Sequence, residues 1–190
     1  AMPYSFYAML GRMKYIGRWG LMRSTAPENL SEHTLEVAYL THALIVLGNR
    51  RLGEDLDPGQ GVLYALYHDC SEILTGDMPT PVKYGSAGLK DAYKEVEEQA
   101  AARLLKKLPE DLVPDYAACF RIPEAYAPYV KAADKLSALI KCLEEKKLGN
   151  CEFDTAAEST LRAIRAMALP EADLFLEEFL PAYSLTLDEL

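Results

Sequence analysis

His68 and Asp69 stand side by side in the stretch Leu63–Tyr84, LYALYHDCSEILTGDMPTPVKY, with Glu72 one helical turn later and Asp77 just past a glycine. An α-helix turns about 100° per residue, so positions three and four apart share a face. That spacing projects His68 and Glu72 the same way and keeps Asp69 within one turn of Glu72. Leu63, Leu66, Tyr67, Ile73 and Leu74 around them read as core. Ionisable groups set beside core positions need partners, because an unpaired buried charge is too costly to keep. A metal ion is one such partner, and it would make the cluster a catalytic site.

The other ligands must come from elsewhere in the chain. There are only three histidines. His33 and His42 fall nine residues apart on one expected helix, a rotation of about 900°, so they face opposite sides. His33 lies in the first turn, where side chains open onto a cavity mouth. His42 sits mid-helix among Leu40, Ala43 and Val46 and reads as a hydrogen-bonded core residue. His33, His68 and Asp69 then supply three ligands. Asp134, inside the small-residue stretch Val130–Leu136, is the candidate fourth, with Val130 and Ser137 or Ala138 on its face. Position alone leaves it balanced between a ligand and a solvated aspartate partnered by Lys131 and Lys135. Two histidines and two aspartates suit Mn, Co, Fe or Ni better than a thiolate-seeking ion. An octahedral ion with four protein ligands keeps two positions for water and a substrate oxygen.

Nearly every segment that positions these residues reads as helix. Phe6, Met9, Leu10 and Met13 mark an amphipathic helix over 5–16, ended by the Gly17 and Gly20 that bracket Arg18-Trp19. A central helix starts near Ser31, with Glu32 in its first turn, and runs to about Arg50. Asp57-Pro58 opens a third that Gly76 stops, taking His68 to Glu72 as one helix. Pro79-Thr80-Pro81 reads as a stiff turn. Further helices are expected over 89–108, 110–120, 126–148, 152–167 and 171–179. The fold class is all-α, one domain over residues 1–190, with 152–190 a helical tail packed on it. Ala1 ahead of Met2 reads as a cloning remnant.

Composition excludes several functions. The 190 residues suffice for one substantial core, and a formal charge of −9, from 20 Lys plus Arg against 29 Asp plus Glu, argues against a nucleic-acid polymer as partner. A small anionic ligand is still allowed, because a few local cations can override the net field. No apolar run approaches the roughly 20 residues of a membrane span, and no signal peptide opens the chain. The four cysteines, Cys70, Cys119, Cys142 and Cys151, form no CxxC pair. Asn29-Leu30-Ser31 fits a glycosylation sequon but reads as a helix start. The expectation is a soluble, reduced, cytoplasmic protein.

The ordered set His33, His68-Asp69, Asp134 resembles the H…HD…D signature of HD-domain metal-dependent phosphohydrolases. The surrounding text is more specific: Gly17-Arg18-Trp19, Glu28 to His33, Tyr67 to Glu72, and Leu74 to Lys83. Together these resemble the bacterial HD-domain 5′-deoxynucleotidases of the YfbR type over almost the whole chain, weakening between Pro109 and Tyr126. The resemblance implies an all-helical HD bundle and a homodimer. It also implies removal of phosphate from deoxyribonucleoside 5′-monophosphates, with one divalent ion per subunit, cobalt, manganese or a similar metal.

Beside that pattern, phosphate-ester chemistry assigns roles. It needs charge neutralised on the phosphoryl oxygens, a positioned water, and a proton for the leaving oxygen. Glu72 is the proton-transfer residue, as acid or as base. Arg18 is the phosphate clamp, its guanidinium offering a bidentate fork, and Lys83 is a second phosphate contact. Trp19, matched in the family, forms a wall against the sugar near C2′ and disfavours a ribose hydroxyl. Asp77 accepts from the 3′-hydroxyl, and Thr80 fits either a polar substrate contact or a plain turn role. Another HD phosphohydrolase acting on a different small nucleotide, a nucleotide-binding module without hydrolysis, and a purely structural metal site are the competing readings. The count of three histidines speaks against a second metal, and the retained Glu72 against mere binding.

Overall fold

The computed structural model describes residues 3–83 and 86–190, apart from the side chains of Thr80, Pro81 and Ala87. Its helices are α1 (Phe6–Leu10), α2 (Leu30–Leu47), α3 (Pro58–Tyr67), α4 (Glu72–Thr75), α5 (Thr80–Lys83), α6 (Ala87–Leu105), α7 (Val113–Phe120), α8 (Ala127–Lys147), α9 (Asp154–Ala166) and α10 (Pro170–Glu178). Short 3₁₀ turns join several of them. Among the described residues there is no strand, only an isolated antiparallel bridge between Gly17 and Asn29. The fold is all-α.

Local chemistry sets the helix starts. Asn29 caps α2: its side chain accepts from Glu32 N–H at 3.0 Å while the Glu32 carboxylate accepts from Asn29 N–H at 3.0 Å. This reciprocal pair satisfies two free amides and fixes His33 in the first turn. The sequon is therefore a helix cap. Asp57 caps α3, accepting from Gly59 at 2.8 Å, with Pro58 at the first helical position. Gly61 lets α3 close on α2, since a Cβ there would collide with the Ile45 side chain.

α2 is the central helix, burying Val37, Leu40, Leu44 and Ile45 against Ala65 of α3 and Leu136 and Ile140 of α8. Ile164 of α9 and Phe175 of α10 join the same core. A second core gathers Phe6, Met13, Leu30, Cys70, Ile73 and Leu104. The candidate ligands lie along these two cores: His33 follows Leu30, Asp69 precedes Cys70, and Asp134 follows Ala133.

Three expectations fail. The stretch from Asp57 to Gly76 is not one helix: α3 ends at Tyr67 and α4 begins at Glu72. Between them the amides bond three residues back, Cys70 to Tyr67 at 3.3 Å and Glu72 to Asp69 at 2.9 Å, and His68 Nδ1 bonds the Ala65 carbonyl oxygen at 2.6 Å. That tightened turn, not an α-helical face, arranges the pair. Pro79-Thr80-Pro81 leads into the short helix α5 instead of a bare turn. His42 is exposed, as are Leu35 and, less so, Leu63, so these are surface and not core.

The loop between Gly17 and Asn29 is stapled to α8 by buried charge. Glu145, wholly buried, accepts from Thr25 N–H at 2.8 Å and Ala26 N–H at 3.0 Å, from Asn150 at 2.8 Å, and pairs with Lys141. Burial opposes its charge, yet Lys141 and these donors hold Glu145 well below the ordinary carboxylate range. The folded state thus binds this proton less readily than the unfolded chain. Its contribution is full above the unfolded value near 4.5 and is lost as pH falls below it. Glu145→Gln is expected to lower Tm by roughly 6–20 °C at neutral pH, because Lys141 loses its buried partner. The deficit should shrink between pH 5 and pH 3, read from thermal melts. An equal deficit at both pH values would remove the charge from the explanation.

Candidate metal and nucleotide site

α2, the His68–Ser71 turn and α8 bring four side chains to one point. His33, His68, Asp69 and Asp134 each offer a ligand atom, and these atoms lie within 4.8 Å of one another. His33 Nε2 stands 3.1 Å from Asp134 Oδ1 and 3.5 Å from Asp69 Oδ2, and His68 Nε2 stands 3.0 Å from Asp69 Oδ2. Asp134 therefore faces the histidines, and no ion pair with Lys131 or Lys135 holds it among the described residues.

The donor set fits a divalent cation. Both Nε2 atoms are buried without a hydrogen-bond partner among the described residues, whereas both Nδ1 atoms are engaged. His68 Nδ1 donates to the Ala65 carbonyl, leaving Nε2 to face the carboxylates. His33 Nδ1 lies 3.0 Å from Ser137 Oγ, which donates to Glu36 Oε2 at 2.6 Å. Such outer contacts fix the tautomer and aim of a metal-binding imidazole. The electrostatics agree. Burial opposes a charged His68, but Asp69 overrides it and pushes the imidazole up to about 9. Burial likewise opposes an ionised Asp69, yet His68 and His33 hold it well below its usual range. Imidazoles and carboxylates that share protons this way are a set that a cation relieves.

A cavity of about 730 Å³ is lined by two of the four, Asp69 and Asp134. Arg18, Trp19, Glu72, Asp77 and Lys83 line it with them. Glu72 is buried, and its Oε2 has no partner among the described residues. Burial first, then the nearby Asp69 and Asp77, push Glu72 up to about 9. Arg18 lies 3.8 Å from Asp77 and 4.0 Å from Asp69. Lys83 reaches the cavity wall, but its ammonium is held by Glu97 at 2.8 Å and sits over the Tyr93 ring. The Thr80 side chain lies outside the described residues. Lys135 and Ala138 of α8, Glu152, and Thr155, Ala156 and Ser159 of α9 also line the cavity.

The model of the family described as 5′-deoxynucleotidase YfbR-like matches residues 5–183. The chain belongs to that family. A 5′-deoxynucleotidase of Vibrio parahaemolyticus is 44% identical over 188 residues, 97% of each chain. One of Vibrio cholerae is 45% identical over 189 residues, again 97% of each. The fold is shared more widely. An HD-domain phosphohydrolase from Listeria innocua superposes with a TM-score of 0.82 at 22% identity, covering 94% of this chain and 88% of that one. The cyanophage S-2L HD phosphohydrolase, solved with dA and one catalytic Zn²⁺ ion, does so at 0.65 and 22% identity, covering 92% and 95%. The chain is thus a 5′-deoxynucleotidase, a hydrolase.

Several contributors to this site differ in how far the sequence marks them. Glu28 takes Trp19 Nε1–H at 2.6 Å and lies 3.3 Å from Arg18 Nε. It stands in a stretch that resembles the family, yet no helical spacing ties it to Arg18. Ser137 shares a face with Asp134, which was a usable signal, while Glu36 reaches the site only through Ser137. The α9 wall had no signal, because Thr155 and Ser159 are ordinary residues of an amphipathic helix until α9 is docked on α8.

Proposed function

We propose that the residues of this cavity divide the hydrolysis of a deoxyribonucleoside 5′-monophosphate among them, with residues 1–190 acting as one catalytic unit. The observation that carries the reading is a cavity lined by Asp69 and Asp134 of the four-ligand cluster, by the Arg18 guanidinium and by the buried Glu72 carboxyl group. His33, His68, Asp69 and Asp134 would hold one divalent cation, cobalt, manganese or a similar ion. When bound, that ion supplies charge neutralisation at the phosphoryl oxygens and a more acidic water. Arg18 binds and orients the phosphate through its guanidinium. Glu72, kept protonated by burial and by Asp69 and Asp77, gives its proton to the leaving 5′-oxygen. Asp77 accepts from the 3′-hydroxyl, and the Trp19 ring closes the space beside C2′. Lys83, already paired with Glu97, contributes positive potential at the rim and not a direct grip. The α9 residues of the lining accept the base.

The partner is therefore a small nucleotide and not a polymer. Among the described residues no helix is long and apolar enough to cross a membrane. A cytoplasmic homodimer is the setting we propose. The test is a panel of deoxyribo- and ribonucleoside monophosphates assayed for phosphate release with several divalent metals and with EDTA. Deoxyribonucleotides should be preferred, and EDTA should abolish release. Full activity in EDTA, or equal rates on both sugars, would overturn the reading. Trp19→Ala is expected to shrink the deoxy-over-ribo ratio of kcat/KM by roughly tenfold, the scale of one small steric mismatch. An unaltered ratio would make Trp19 a packing residue only.

A further inference from the structure

Glu28 does not line the cavity, yet it touches Arg18 and Trp19, two of the residues that line it from the loop between Gly17 and Asn29. We propose that Glu28 is a positioning residue whose single carboxylate sets sugar selection through one oxygen and phosphate grip through the other. The proposal rests on the assignment of Trp19 to the sugar and Arg18 to the phosphate.

Oε2 accepts the indole Nε1–H of Trp19 at 2.6 Å. Trp19 has a backbone φ of 61°, in the left-handed region that bulky side chains adopt only when their surroundings over-determine it. Its ring packs against Phe153 with centroids 5.3 Å apart, and Glu28 is the polar anchor that fixes its rotation. Oε1 lies 3.3 Å from Arg18 Nε, an ion-pair contact without hydrogen-bond geometry, and the Arg18 backbone N–H donates to the Glu28 carbonyl at 3.0 Å. Glu28 therefore holds the Nε edge of a guanidinium whose NH1 already lies near Asp69 and Asp77. Without that restraint, Arg18 falls towards those two carboxylates and away from the phosphate. The same Oε1 is 3.6 Å from His33 Nδ1, farther than Ser137 Oγ at 3.0 Å, so Ser137 remains the nearer partner of the imidazole.

The two oxygens can be separated by substitution. In Glu28→Gln the amide oxygen still accepts from the indole, while the charge facing Arg18 is gone. The metal-loaded Glu28→Gln enzyme should show a KM for deoxynucleotides raised roughly 10- to 100-fold, a scale between an exposed and a fully buried ion pair, with kcat within a few-fold. Its deoxy-over-ribo ratio should stay within about twofold of wild type. Glu28→Ala should raise KM and also shrink the ratio roughly tenfold, as expected for Trp19→Ala. Trp19 is the only tryptophan, so intrinsic fluorescence reports on it directly. Its emission should move to longer wavelength in Glu28→Ala and hold in Glu28→Gln, while metal content stays at the wild-type level in both.

KM, ratio and emission all unchanged in Glu28→Ala would overturn the proposal. So would a Glu28→Gln enzyme that loses selectivity and phosphate affinity together, because the two oxygens would then not be separable. If Glu28→Ala does not fold, Glu28→Gln decides alone: raised KM with the ratio kept supports the proposal, and no change in KM overturns it. Trp19→Ala and Arg18→Ala are run alongside. If Trp19→Ala leaves the ratio unchanged, the sugar assignment itself has failed. If it shifts the ratio and Glu28→Ala does not, only the role of Glu28 has.

Discussion

Glu72→Gln is expected to lower turnover by about 10²- to 10⁴-fold, the range for loss of one positioned proton donor, with metal content unchanged. The substitution keeps volume and polarity, so the α4 start and the cavity wall should survive it. Glu72 lies outside the cluster whose ligand atoms converge within 4.8 Å, so its loss should not release metal. Its environment favours the proton. Burial, and then Asp69 and Asp77, push it up to about 9, and Arg18 and Lys83 only partly offset this. A donor must be protonated to act, so kcat should fall as pH rises through that value. The alkaline limb should vanish in Glu72→Gln. Turnover within tenfold of wild type would remove Glu72 from the chemistry. A surviving limb near pH 9 would assign that titration to another group.

The four convergent side chains were readable because their types are scarce and their order is distinctive. With three histidines in the chain, helical phase alone separates His33 from His42, and the structure keeps that separation while placing His42 in solvent and not in the core. Apolar spacing could not reveal the break between α3 and α4. Leu66, Tyr67, Ile73 and Leu74 continue a helical rhythm across it, and the interruption comes from His68 bonding the Ala65 carbonyl within a run of three-residue turns. Capping chemistry, by contrast, is local: a helix start near Ser31 was legible, and the structure sets the cap two residues earlier, at Asn29. The loop of Arg18 and Trp19 was legible as a loop but not in its shape. Its conformation depends on Glu145, more than a hundred residues away in sequence, and on Glu28 reaching back across the Gly17–Asn29 bridge. Lys83 shows the same limit. A lysine beside a phosphate-binding motif suggests a free cation, and only the docking of α6 supplies Glu97 as its partner.

Asp134→Ala is expected to weaken metal binding by more than about 100-fold, beyond the range typical of losing an outer-shell partner, and to abolish turnover at ordinary metal concentrations. The side chain is the one ligand that α8 contributes. Its Oδ1 lies 3.1 Å from His33 Nε2, nearer than Asp69 Oδ2 at 3.5 Å, so it is placed to share a cation with that imidazole. Burial works against its charge, yet His33 holds Asp134 below the ordinary carboxylate range, so a ligating oxygen is ready at neutral pH. Because Ala132, Ala133 and Leu136 around it are buried in the α2–α8 core, truncation to alanine leaves the helix and its packing in place. Metal content by elemental analysis after dialysis, with a thermal melt as the check on folding, separates loss of a ligand from loss of structure. A folded variant that keeps one equivalent of metal would place the fourth ligand elsewhere. Asp77 would then be the carboxylate to test, since it lines the same cavity and already lies 3.8 Å from Arg18.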